Sequence, residues 1–113
     1  MSTRKELGKI CKVSFGLGGY QDCCLGLSLT FEGKSWGVGH FIGAWDPESI
    51  KCDSYCKWTE KDRSEGLDDT MRKLSTILKK AKVDEVSKLF GIPVEVEFDG
   101  QLLKTWRILE EVL

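Results

Sequence analysis

The sequence holds one histidine, no apolar run near the length of a membrane span, and no excess of charge of either sign. Each shortage excludes something. A bilayer crossing needs about 18 consecutive apolar residues, so no membrane association is expected. Seventeen Lys and Arg face eighteen Asp and Glu, for a net charge of −1. The balance is seven basic to six acidic over the first 58 residues and ten to twelve over the remaining 55. A protein held to duplex DNA through its phosphates needs a basic surplus, so sequence-specific DNA binding is not expected. A pocket built from a few cations is still compatible with this balance. His40 is the only imidazole available to pair with a nucleophile. It stands in phase with the apolar Val38 and Ile42, as a core histidine does. The carboxylates show no pairing, so no catalytic residues are assigned and the protein is read as a non-enzyme.

Cysteine is present but unorganised. Cys52 and Cys56 have zinc-ligand spacing, yet no second pair matches them: Cys23 and Cys24 are adjacent and Cys11 is alone. The expectation is reduced thiols, no metal and no cofactor. The N-terminal residues place no apolar run behind their charges, so no secretory signal is expected. With an odd number of cysteines this points to a cytoplasmic location.

What is present is a foldable chain. Leu, Ile, Val and Phe total 31 of 113 residues, enough for a single globular domain. Residues 1–8 are expected to form a flexible tail. Residues 9–15 alternate loosely as a strand. Leu25, Leu27, Leu29 and Phe31 alternate with small residues, and after Glu32-Gly33-Lys34 so do Trp36, Val38, His40 and Ile42, a hairpin signature. Residues 43–58 read as a long irregular loop. A helix to about Lys82 follows a capping-box-like Thr59-Glu60-Lys61-Asp62, with Leu67, Met71, Leu74, Leu78 and Ala81 as its apolar stripe. Lys79, Lys80 and Lys82 suit its C-terminal dipole. Asp84 is expected to cap a second short helix ended by Gly91. Strands from Ile92 to Phe98 and from Leu102 to about Val112 flank an Asp99-Gly100 turn. The reading is α+β: an antiparallel sheet of about five strands in the order β-β-β-α-α-β-β, with one long amphipathic helix.

Gly16, Gly18 and Gly19, followed by Tyr20 and Gln21, form a candidate ligand-binding segment. Glycines free the backbone to aim N–H groups at an anion, while the phenol offers a flat face and the amide both donor and acceptor. Trp45 and Trp58 in or beside the long loop could stack on a base, with Lys57 and Arg63 supplying cations for phosphate. The hairpin face carrying Gly26, Ser28, Gly37 and Gly39 is nearly bare, which suggests close approach by a helix, a second subunit or a flat ligand lying on the backbone.

Three segments together are distinctive: Gly18-Gly19-Tyr20-Gln21-Asp22 with Gly26 to Phe31; Cys56-Lys57-Trp58-Thr59-Glu60; and Gly91 to Val96 with Trp106 to Leu109. In these the chain resembles a family of small bacteriophage and prophage proteins, mostly of unknown function. By class it is similar to phage anti-defence proteins, among them nucleotide sponges that sequester immune signals without cleaving them. The resemblance implies a small nucleotide-like ligand, a homo-oligomer and the host-cell cytoplasm. The alternative is a protein-interaction module that inhibits a host or defence protein or assists phage replication.

Overall fold

The computed structural model describes residues 3–18, 24–45 and 60–113. Five strands, β1 (Thr3–Gly18), β2 (Cys24–Glu32), β3 (Gly37–Trp45), β4 (Pro93–Asp99) and β5 (Leu102–Ile108), form one antiparallel sheet in the order β3-β2-β1-β4-β5. One α-helix, α1 (Glu60–Ala81), precedes β4, and short 3-10 segments cover Val86–Leu89 and Glu110–Val112. The α+β architecture expected from the alternation is therefore found.

The long first strand organises the sheet. Its N-terminal half, Thr3 to Lys9, pairs with β4, and its C-terminal half, Lys9 to Gly18, pairs with β2. The stretch expected as a flexible tail thus belongs, from Thr3 onward, to the sheet. Its backbone hydrogen bonds go to β4, which a reading of side-chain pattern could not anticipate. The loose alternation of residues 9–15 also has a cause. Ile10 opposes Phe31 and Lys12 opposes Thr30, leaving Cys11 as a bulge. An extra residue reverses the inside–outside phase: Gly8 and Ile10 face the core before it, Val13, Phe15 and Leu17 after it. A second irregularity, between Glu97 and Phe98, pairs Phe98 with Leu103 and returns Leu103 to the core side.

The bulges help curl the sheet until its two edges meet. Trp106 of β5 lies 4.8 Å from Phe31 of β2 and 6.3 Å from His40 of β3, between ring centroids. The core of this curl holds Ile10, Leu27, Leu29, Phe31, Leu89, Val94, Val96, Phe98 and Ile108. Trp36, from the β2–β3 turn, closes one end edge-on to Phe98 at 5.2 Å. Its ring lies so close to Gly8 that a Cβ there would sit 2.8 Å from it. Gly33 lies under the same indole, so a side chain at either position would displace the tryptophan.

Helix α1 fills the gap between the edges. Its buried residues are Thr70, Ile77 and Ala81, with Leu74 and Leu78 partly buried. Met71, expected in the stripe, is 46% exposed. The contact face is centred on Gly66, Thr70, Leu74, Ile77 and Ala81 because small residues let the helix lie close to β3. A Cβ at Gly66 would stand 3.1 Å from that of Ala44. The Thr70 hydroxyl is satisfied within the helix, donating to Gly66 O at 2.8 Å.

Other boundaries also shift. Asp84 caps nothing; it accepts from Lys88 Nζ at 2.7 Å, and the expected second helix is only a 3-10 turn without a side-chain cap. Gly91 and Gly100 have the positive φ that chain reversal requires, 84° and 65°. The final strand stops at Ile108 rather than Val112, which is 65% exposed. On the bare hairpin face no described helix packs; α1 lies on the opposite face. Phe41 partly covers this surface instead, its ring 3.2 Å from a Cβ placed at Gly18.

Candidate ligand cleft between α1 and the sheet edges

Where α1 bridges β3 and β5 it leaves a cleft of about 420 Å³, open to solvent. His40 and Ile42 of β3, Ile77 of α1, and Trp106 and Ile108 of β5 line its apolar part. Arg72, Lys73 and Lys80 of α1 and Arg107 of β5 stand around it, with Thr76. The placement follows from two periodicities. Residues 72, 76 and 80 recur every four positions and flank the buried stripe, so they border the space beside it. On β5, successive side chains alternate, putting Trp106 on the inner face and Arg107 at the outer rim.

The cations differ in how firmly they are held. Arg72 Nε pairs with Asp68 at 2.9 Å and Lys73 Nζ with Asp69 at 2.9 Å, all on exposed side chains. Such surface pairs contribute less than about 1 kcal/mol, so a better acceptor can displace the carboxylates. Arg107 is fixed: Nε donates to Glu95 at 3.0 Å while the two terminal nitrogens donate to Glu111 at 3.1 and 3.0 Å. Those bonds, from Glu111 foremost, raise the affinity of Arg107 for its proton, and Glu111 titrates below its ordinary range because Arg107 donates to it. Lys80 has no ion pair with any described residue.

His40 is half-buried between Phe31, 6.5 Å away, and Trp106. Burial first, and the nearby Lys73 second, lower its pKa from the ordinary 6.5. At neutral pH it is an uncharged ring able to donate from one nitrogen and accept at the other. Cys11, the bulge residue, has its thiol pKa raised by desolvation and by Glu32, so it remains protonated near neutrality.

The residues singled out in the sequence stand elsewhere. Gly16 and Gly18 are strand residues opposite Gly26 and Cys24. The only positive-φ glycines among the described residues are Gly91 and Gly100, so neither Gly16 nor Gly18 turns the chain into an anion-binding loop. Pairing with β2 holds both extended. Arg63 lies in the first turns of α1, 3.9 Å from Glu60, and does not line the cleft. The Trp45 backbone ends β3. Gly19, Tyr20, Gln21, Lys57 and Trp58, with Cys52 and Cys56, lie outside the described residues. Among the described residues no cluster of His, Cys, Asp or Glu could hold a metal, and no helix is long and apolar enough to cross a membrane.

His40 and Trp106 pass in the sequence as core residues, and Lys80 as a dipole partner. The legible signal was a polar flank of Arg72, Lys73, Thr76 and Lys80 beside the apolar stripe. No protein-family model, curated protein or solved structure matches the chain.

Proposed function

We propose that the protein captures a small, flat, phosphate-bearing ligand of nucleotide type in the α1 cleft, without catalysing a reaction on it. One observation carries this reading: four cations surround a cleft floored by an indole and an uncharged imidazole. Its volume is within the range of small-molecule sites. A base would lie on Trp106, where stacking contributes roughly 1–3 kcal/mol. Phosphate would draw Arg72, Lys73 and Lys80 through charge-assisted hydrogen bonds, which are stronger than the exposed ion pairs Arg72 and Lys73 now make. His40 would read the ligand as a neutral donor or acceptor. Joined to the likeness to small phage and prophage proteins, the reading becomes sequestration of a nucleotide immune signal in the host-cell cytoplasm.

Isothermal titration of the full chain against cyclic dinucleotides, cyclic trinucleotides and ADP-ribose derivatives tests it. The expected result is saturable binding of at least one member, weakened by Lys80→Ala. No heat with any member overturns the reading. Ligand recovered intact after denaturation of the complex supports capture, and ligand recovered cleaved overturns it.

A further inference from the structure

Among the described residues, strand β1 has two unclaimed edges of opposite character. From Thr3 to Gly8 it pairs with β4 alone, and its free side carries Arg4, Lys5 and Glu6. From Lys12 to Gly18 it pairs with β2 alone. On the other side of this second half, Gly91 and Ile92 reach only Ile10, through hydrogen bonds of 2.7 and 3.0 Å, and no described residue pairs beyond it. Alternate residues there turn N–H and C=O outward, which makes a template for another strand.

Proteins blunt such edges with charge, proline or a bulge. The first half of β1 follows that rule. The run Val13-Ser14-Phe15-Gly16-Leu17-Gly18 has no charge and no proline, and the bulge at Cys11 lies before it. Phe15 is 43% exposed and Leu17 60%. Both project on the face that carries Leu25 and Leu27, so an apolar row continuous with the core ends in the open. Two groups want covering here, the ladder and the row, and one strand of the same pattern covers both.

We propose that this edge pairs with a second copy of the chain, β1 against β1, antiparallel about a two-fold axis at Phe15. The occupant follows from self-complementarity. A closed two-fold contact must oppose residue i to residue j and j to i. Centred on Phe15, this pairing sets Val13 against Leu17 and Leu17 against Val13, with all of these side chains on the core face. Lys12, the only charge in the segment, opposes Gly18. The two lysines then lie at opposite ends, six residues or about 20 Å apart at the antiparallel rise, without like-charge contact. The product is a continuous six-stranded sheet. The β3–β5 cleft lies elsewhere in each subunit, so the inference does not rest on the ligand reading.

Sedimentation equilibrium of the full chain over a hundredfold concentration range tests this. The expected mass is twice 12.8 kDa. Leu17→Lys and Phe15→Lys should each return it to one chain with an unchanged far-ultraviolet circular dichroism spectrum. Leu102→Lys, at a 76%-exposed site on β5, should leave the dimer intact. In the wild type, amides of residues 12–18 should exchange slowly with solvent and more slowly as concentration rises. That last measurement decides the matter if both edge variants misfold. A monomer at every concentration overturns the proposal, even if its edge captures a strand from another protein. So does a dimer that survives both edge substitutions.

Discussion

His40 and Trp106 belong to the two outermost strands of the sheet, yet their rings stand 6.3 Å apart. Their contact marks where the curled sheet nearly closes, and the cleft occupies the remaining gap under α1. This geometry makes His40 a reporter of the site. Its folded-state pKa is below the ordinary 6.5, so the unfolded chain binds more protons over the interval between the two values. Stability should therefore be fully present above pH 6.5 and fall as pH drops through that interval. Urea titrations at several pH values check this, and His40→Gln should flatten that part of the profile. An anion in the cleft should raise the His40 pKa, visible as a shift of its imidazole resonance on ligand addition.

The cleft cations should separate binding from folding. Arg72, Lys73 and Lys80 are exposed, and surface substitutions usually change stability by less than about 0.5 kcal/mol. Arg72→Ala, Lys73→Ala and Lys80→Ala should leave the urea midpoint nearly unchanged. Each should weaken a phosphate-bearing ligand about tenfold, the loss of one charge-assisted hydrogen bond. Titration calorimetry beside denaturation separates the two effects.

Trp36 carries a buried indole N–H with no acceptor among the described residues. An unsatisfied buried donor costs about 1–3 kcal/mol, which offsets much of what a smaller ring would lose in packing. Trp36→Phe should change stability by no more than about 1 kcal/mol. Gly33→Ala, which drives a Cβ into the same indole, should cost about 1–3 kcal/mol through overpacking. Parallel urea denaturation of the two variants gives the comparison.

The bulge at Cys11 holds one residue more than the ladder with β2 pairs. Cys11→Ala keeps the extra residue and should fold, with a stability change within about 1 kcal/mol. Deleting Cys11 removes that extra residue and leaves the phase of residues 12–18 unchanged: Lys12 then follows Ile10 directly, still opposite Thr30, and Val13 stays opposite Leu29. The deletion variant should keep a cooperative unfolding transition by circular dichroism, and loss of that transition would show that the bulge itself is needed for the curl.

Much of the fold was legible because its signals are local. Alternation of Leu25, Leu27, Leu29 and Phe31 gave one strand, Asp99-Gly100 a turn, and the 3.6-residue period a helix. The errors sit where a non-local partner decides. Thr3–Gly8 carries Arg4, Lys5 and Glu6 and looks like a tail, but β4 supplies its hydrogen bonds. Met71 matches the helical period as well as Ile77 does; only the close seat of Gly66 on Ala44 shows which of them turns inward.

The candidate site was less legible. Gly16 and Gly18 resemble a flexible loop until β2 pairs with them. Arg72, Lys80, His40, Trp106 and Arg107 come from three elements, and no spacing along the chain links the residues of one element to those of another.

By itself the amino-acid order determined element types, their succession, and the absence of a basic DNA-binding surplus, because these depend on neighbouring residues and total charge. Tertiary structure alone decided the curl of the sheet, the phase reversal at Cys11 and the meeting of its outer strands. Those depend on which backbone groups pair across the fold, and that pairing is where the cleft arises.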